Sequence, residues 1–175
     1  MMTDEQLMLD FQRGSKEAFT ELFARYRQPI YGYFRRRLAD AARAEELAQE
    51  TFLAVLRAVT RYEPRALFRT YLYGIAFLQL AAERRKSAYR ESWSEASSID
   101  PPTAGSTENG VAVRQALAHL EADEREVLML REYEELSYAE IAALQRVPIN
   151  TVRSRLFRAR QALKDLLMSP REAKK

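Results

Sequence analysis

Glycine and proline occupy so few positions that long helices are the default reading of this chain. They fall at 14, 29, 32, 64, 74, 101, 102, 105, 110, 148 and 170, which leaves 33–63, 75–100, 111–147 and 149–169 free of both. Five glycines and six prolines among 175 residues are roughly half the usual share. An all-α fold follows, and the length suits one domain or two small ones rather than a large catalytic barrel. Cysteine is absent and His119 is the single histidine, so disulfides, thiolate catalysis and a Cys/His metal site lack their ligands. No catalytic residue, metal or cofactor is expected, and His119 is assigned no role. The longest uncharged run, Thr70 to Ala82, spans 13 residues; a membrane helix needs about 20. The start, Met1 to Gln6, is acidic and unlike a secretory signal. The expectation is a cytoplasmic chain without membrane insertion.

Charge is segregated along the sequence. Residues 1–90 hold 16 basic and 11 acidic side chains, 91–110 none and four, 111–145 three and eight, and 146–175 nine and two. The last block is a cationic end on an acidic support. The stretch Ser92 to Gly110, SWSEASSIDPPTAGSTENG, lacks Lys and Arg and is rich in Ser, Thr, Pro and Gly. It reads as a flexible acidic linker. Two domains are therefore expected, an amino-terminal helical bundle over 1–91 and a second over 111–168, with a basic tail over 169–175.

In the first domain Phe19, Leu22, Phe23 and Tyr26 recur at helical spacing. Pro29 is expected to separate that helix from one carrying Ile30, Phe34 and Leu38. A third, Ala41 to Val59, places Leu47, Thr51, Val55 and Ala58 on one side and Glu46, Gln49, Glu50, Leu53 and Arg57 on the other. Thr60 to Arg65 reads as a loop ended by Pro64, and Phe68 to about Arg90 as a long helix that passes into Glu83-Arg84-Arg85-Lys86. In the second domain Val113, Leu117 and Leu120 mark a helix. Asp123 with Glu126, and Ser137 with Glu140, match the capping-box spacing that opens helices. Pro148 then suits the first turn of a last helix. This is helix, tight turn, helix, in a unit expected to be winged-helix-like with three to four helices.

A helix-turn-helix lays its second helix in the major groove, where guanidinium forks and small polar groups reach base edges and further arginines reach phosphates. With Val152, Leu156, Ala159 and Leu163 turned inward, Asn150, Arg153, Ser154, Arg155, Arg158 and Arg160 remain for that work. In the first domain Arg61, Arg65 and Arg69 interleave with Tyr62, Phe68, Tyr71 and Tyr73, a composition that suits unpaired bases, since rings stack on bases while arginines follow the backbone. Phe68 and Tyr71 also suit a core, which leaves Arg61 and Tyr62 as the better contact candidates. Glu46, Gln49 and Glu50 lack any accompanying nucleophile, metal ligand or phosphate-binding loop. Beside exposed Leu53 they suit a protein-docking face.

These segments resemble the extracytoplasmic-function group of bacterial RNA polymerase sigma factors. The likeness runs through AFTELFARY, AEELAQETFLAVLRAV and FRTYLYGIA followed by ERR in the first domain. In the second it is carried by LSYAEIAALQRVPINTVRSRLFRARQAL. The resemblance implies that Asp40, Glu46, Gln49, Glu50 and Leu53 bind core RNA polymerase. It places Arg61, Tyr62, Glu63, Arg65, Tyr71, Arg84 and Arg85 at the promoter minus-ten element, with the Thr60 to Arg65 loop capturing a flipped-out base. Asn150, Thr151, Arg153, Ser154, Arg155, Arg158 and Arg160 would read the minus-thirty-five element. It also implies a monomer when free and an anti-sigma factor as partner. The chain departs from the family pattern at Phe77, Leu78 and Ala82, where polar groups are usual, at Tyr71 in place of Trp, and at Arg146 in place of the turn glycine. A left-handed Arg146 would cost about 1 kcal/mol or more. The alternatives are a stand-alone dimeric regulator built on the same helix-turn-helix, and a helical enzyme acting on nucleic acid.

Overall fold

The computed structural model describes residues 1–91 and 108–168; the expected linker centre and the tail lie outside the described residues. The chain divides into two compact units, Met1–Pro102 and Thr103–Lys175. Every element among the described residues is helical, so no strand supplies the wing of a winged helix. Pro148 leads directly into a helix that continues to Met168, which leaves no period-two segment there for a hairpin.

The first unit holds α1 (Asp4–Gln12), α2 (Lys16–Arg35), α3 (Ala41–Ala58), a 3₁₀ turn (Val59–Arg61) and α4 (Phe68–Glu91). The helix α1 has no counterpart in the sequence expectations. Thr3 caps it by accepting from the Gln6 amide, Leu7 and Met8 bury its inner face, and Gly14 turns the chain at φ 110°. Ser15 caps α2 through the Ala18 amide, and Asp40 caps α3 through the amides of Ala42 and Arg43. Pro29 does not break α2. It lies on the exposed side, where water can satisfy the carbonyl its ring leaves unpaired, while Leu22, Ile30, Tyr33 and Phe34 bury the opposite face. The two short helices expected around Pro29 are therefore one. Tyr33, Phe34, Phe68, Leu72 and Leu80 are fully buried together with Met8, Leu22, Ile30 and Leu47. Each such side chain contributes about 1.5–3 kcal/mol of transfer free energy.

The second unit holds α5 (Glu108–Ala118), α6 (Ala122–Glu132), α7 (Tyr138–Gln145) and α8 (Ile149–Met168). The first of these opens at Glu108, inside the stretch expected to be linker, with that carboxylate in the first turn where it complements the helix dipole. Asp123 is not the cap of α6; Glu121 occupies the cap position without a side-chain hydrogen bond, and Asp123 lies within the first turn. Ser137 does cap α7 in a full capping box: its hydroxyl accepts from the Glu140 amide and the Glu140 carboxylate accepts from the Ser137 amide. At the other end Arg146 is left-handed, with φ 55° and ψ 45°. The Val147 amide donates to the Ala142 carbonyl and that of Arg146 to Ala143, the Schellman pattern whose left-handed position favours glycine. Val152, Leu156 and Ala159 of α8 are buried, Leu163 half-buried.

Pro29→Ala restores an amide donor in the middle of α2 without touching its buried side. It is expected to stabilise the first unit by about 1–2 kcal/mol, after allowance for the more flexible unfolded chain. A rise in the urea midpoint at unchanged slope checks this.

Candidate nucleic-acid and protein interfaces

The α3 helix turns two faces in opposite directions. Ala44, Leu47, Ala48, Thr51, Phe52 and Val55 are buried, while Glu46, Gln49, Glu50 and Leu53 are exposed, Leu53 at 44%. Asp40, at the helix cap, is exposed as well. Arg43, which sequence reasoning did not single out, ties this face to the interior. Its guanidinium binds Glu83 of α4 in bidentate fashion (3.0 and 2.7 Å) and reaches Glu46 at 2.7 Å and Glu50 at 3.5 Å. The hydrogen bonds to Glu83 and then Glu46 hold the Arg43 proton more tightly than usual. Two of the outward carboxylates are thus oriented by one partly buried cation. Beside them α2 and α3 enclose a cleft of about 290 Å³ whose walls include Phe23, Arg27, Tyr31, Glu45, Gln49 and Phe52.

The turn after α3 is held from behind by α1. Gln12 donates through Nε2 to the carbonyls of Val59 (2.8 Å) and Tyr62 (3.1 Å), and Glu5 Oε1 accepts the Phe68 amide at 2.7 Å, serving as a remote cap for α4. Arg61, Glu63 and Arg65 are exposed, and Arg65 Nε reaches Glu63 at 2.7 Å. Tyr62 is not a projecting ring. Only 6% exposed, it packs edge-on against Tyr71 (5.3 Å) and Phe68 (6.3 Å), and burial pushes its hydroxyl up to about 12. Burial also raises the hydroxyl of half-buried Tyr71, near Arg61. The loop therefore offers arginines around an aromatic floor rather than a free tyrosine. Along α4, exposed Arg84 and Arg85 follow an apolar strip in which Leu78 is 64% exposed and Ile75, Phe77 and Ala82 are half-buried.

On α8, Asn150, Arg153, Ser154, Arg158 and Arg160 are exposed, whereas Thr151 and Arg155 are half-buried. Arg153 donates to Asn150 Oδ1 at 3.0 Å, which sets both side chains on one outer face. Three other arginines are not free forks. Arg155 binds Asp123 at 2.7 Å and Gln145 at 3.4 Å, Arg158 binds Glu124 at 2.7 Å, and Arg160 binds Glu132 at 2.9 Å. All three carboxylates belong to α6, so the acidic support of the charge pattern is the helix packed beneath α8. Phe157, which sequence reasoning missed, is 65% exposed; its place four residues after Arg153 was the available signal. Among the described residues no group of three or more His, Asp or Glu converges as a metal site, and no helix is long and apolar enough to cross a membrane.

A helix-turn-helix with a cationic outer face, in one chain with a helical unit that presents a carboxylate face and an arginine-rimmed aromatic loop, has the surfaces of a two-part protein that meets nucleic acid and a protein partner. The models for sigma-70 region 2 and sigma-70 region 4 match residues 22–89 and 110–163. The chain is 35% identical to RNA polymerase sigma-H factor of Pseudomonas aeruginosa over 91% of each chain. It is 33% identical to RNA polymerase sigma factor CarQ of Myxococcus xanthus (90% of this chain, 93% of that one) and 30% to ECF RNA polymerase sigma-E factor of Escherichia coli (93% of each). Among solved structures it is similar to the sigma factor RpoE of Bartonella quintana, in complex with the anti-sigma factor NepR, at 25% identity and TM-score 0.71 over 87% of this chain and 98% of that one. CnrH, solved with the cytosolic domain of CnrY, gives 25% identity and TM-score 0.72 over 94% and 96%. The chain belongs to the sigma-70 family of RNA polymerase sigma factors, in its ECF group. It serves promoter-directed transcription together with core RNA polymerase, and the stand-alone regulator is not favoured.

Glu124 holds Arg158 through its Nε; on the expectation that Arg158 meets promoter DNA, Glu124→Gln is expected to tighten holoenzyme binding to a promoter by about two- to fivefold at low salt, the scale of one ion pair near the surface. Fluorescence anisotropy with labelled promoter DNA measures it; weaker binding would mean that the pair positions Arg158 rather than restrains it.

Proposed function

We propose a division of labour among these surfaces. The unit over 1–91 docks on core polymerase through Asp40, Glu46, Gln49, Glu50 and Leu53 and holds the opened minus-ten element. Arg61, Glu63, Arg65, Arg84 and Arg85 serve there over a floor of Tyr62 and Tyr71. The unit over 111–168 reads the minus-thirty-five element through Asn150, Thr151, Arg153 and Ser154, with Arg155, Arg158 and Arg160 as exchangeable phosphate partners. The observation that supports this reading is the two-sidedness of α3 and α8: apart from half-buried Thr151 and Arg155, the residues of these helices that the family resemblance assigns to a partner are exposed.

Such a factor performs no covalent chemistry and is not an enzyme. Opening a duplex costs about 1.4 kcal/mol per base-pair step. The free energy comes from binding the opened form more tightly, through ring contacts, base capture and phosphate neutralisation. Joining two weak readers in one chain raises affinity only when their mount spaces them to match the DNA. The protein acts in the cytoplasm, as a monomer when free, and requires no cofactor. An anti-sigma factor that covers the polymerase face is the expected regulator, supported by the two neighbours solved in such complexes or with a cytosolic partner domain.

In vitro transcription with core polymerase tests the assignment. The combined change of Glu46, Gln49 and Glu50 to Ala is expected to lower core affinity at least tenfold. Arg153→Glu with Arg158→Glu is expected to abolish promoter choice and leave core binding intact. Equal loss of both activities in both variants would contradict the division of labour.

A further inference from the structure

The turn between α7 and α8 carries a residue whose chemistry is unexplained by the fold. Arg146 is left-handed at a position where the Schellman hydrogen bonds favour glycine. Its side chain is exposed and has no hydrogen-bond or ion-pair partner among the described residues, whereas Arg153, Arg155, Arg158 and Arg160 on the following helix all do. The fold thus carries a strained backbone without a compensating contact inside the protein. A left-handed backbone at a non-glycine residue, together with an unpaired charge on its exposed side chain, directs the search for its partner outside the chain.

We propose that Arg146 is a phosphate-binding residue of the DNA-reading unit, which rests on the assignment of α8 to the major groove. Position supports the role. Arg146 precedes Asn150 by four residues, a chain path of at most about 14 Å. The groove that receives the start of α8 is about 12 Å wide between its phosphate walls. A residue that close in the chain to the entry of α8 is within reach of the rim, where the ligand is a backbone phosphate rather than a base edge. Glu135 shows that conformation alone does not make the assignment: it is also left-handed, at φ 56°, but carries the wrong charge for a phosphate. Arg146 combines the strain with the right sign, an exposed side chain and no partner among the described residues. Its contact is independent of sequence, so it strengthens binding to all promoters alike and contributes to the salt dependence.

The test uses the full chain bound to core polymerase and a promoter fragment on which the wild-type holoenzyme initiates. Arg146→Asn keeps a side chain that tolerates the left-handed turn and removes the charge. It is expected to weaken binding several-fold and to reduce the slope of log affinity against log salt by about 0.9, one phosphate's share. Arg146→Lys should keep the slope. Arg146→Gly should show the same loss of slope while raising the melting temperature of the full chain by about 2–4 °C, so that stability and DNA affinity move in opposite directions. An unchanged slope in Arg146→Asn, with Arg153→Ala weakened, would overturn the role of Arg146 and leave the reading of α8 standing. No effect from Arg153→Ala either would overturn the placement of α8 on DNA itself. Lost binding together with a lowered melting temperature in Arg146→Gly would make Arg146 a structural residue and overturn the proposal.

Discussion

In both units the helix that carries the outward chemistry also carries the core, and the helical repeat decides which residue does which. Side chains three and four apart share a face, so fixing Leu47, Thr51 and Val55 inward leaves Glu46, Gln49, Glu50 and Leu53 no other direction than outward. Val152, Leu156 and Ala159 likewise determine where Arg153, Ser154 and Arg158 point. A shift of one residue in either helix would bury charge and expose leucine together. The surfaces are therefore as rigid as the cores behind them, which suits groups that must meet a large partner without reorganising.

Electrostatics adds a second layer. In the first unit Arg43 gathers Glu46, Glu50 and Glu83, so the carboxylate face is held by a cation from within. In the second unit the signs are reversed, and α6 carboxylates hold the arginines of α8. Pairs of this kind are individually weak and exchangeable in water. A guanidinium held by a carboxylate can transfer to a phosphate at modest cost, and Arg155, Arg158 and Arg160 are already countered in this way while Arg146 and Arg153 have no carboxylate partner among the described residues.

Much of this was legible in the sequence because its signals are local. Ser137 with Glu140 and Pro148 mark the helix-turn-helix within a dozen residues, and Phe68 opens α4 as expected. The two faces of α3 follow from periodicity alone. What escaped depends on distance along the chain. The role of α1 is carried by Gln12 and Glu5, whose partners lie 47 to 63 residues away. Tyr62 is buried by rings of α4, and the pairs beneath α8 span 28 to 34 residues. Pro29 departs from its local signal for a related reason: burial on the far side of α2 outweighs the local penalty of its ring. The left-handed Arg146 is the converse case, a local irregularity visible in the sequence whose meaning lies outside the chain.

Neither proposed DNA-reading surface is expected to select a promoter unless core polymerase carries both. The most direct measurement is a footprint on promoter DNA at physiological salt, with the purified chain alone and then with core enzyme added. No defined protection is expected from the chain alone, and two separated protected segments are expected with core enzyme. A tight, sequence-specific footprint by the isolated chain would contradict this expectation.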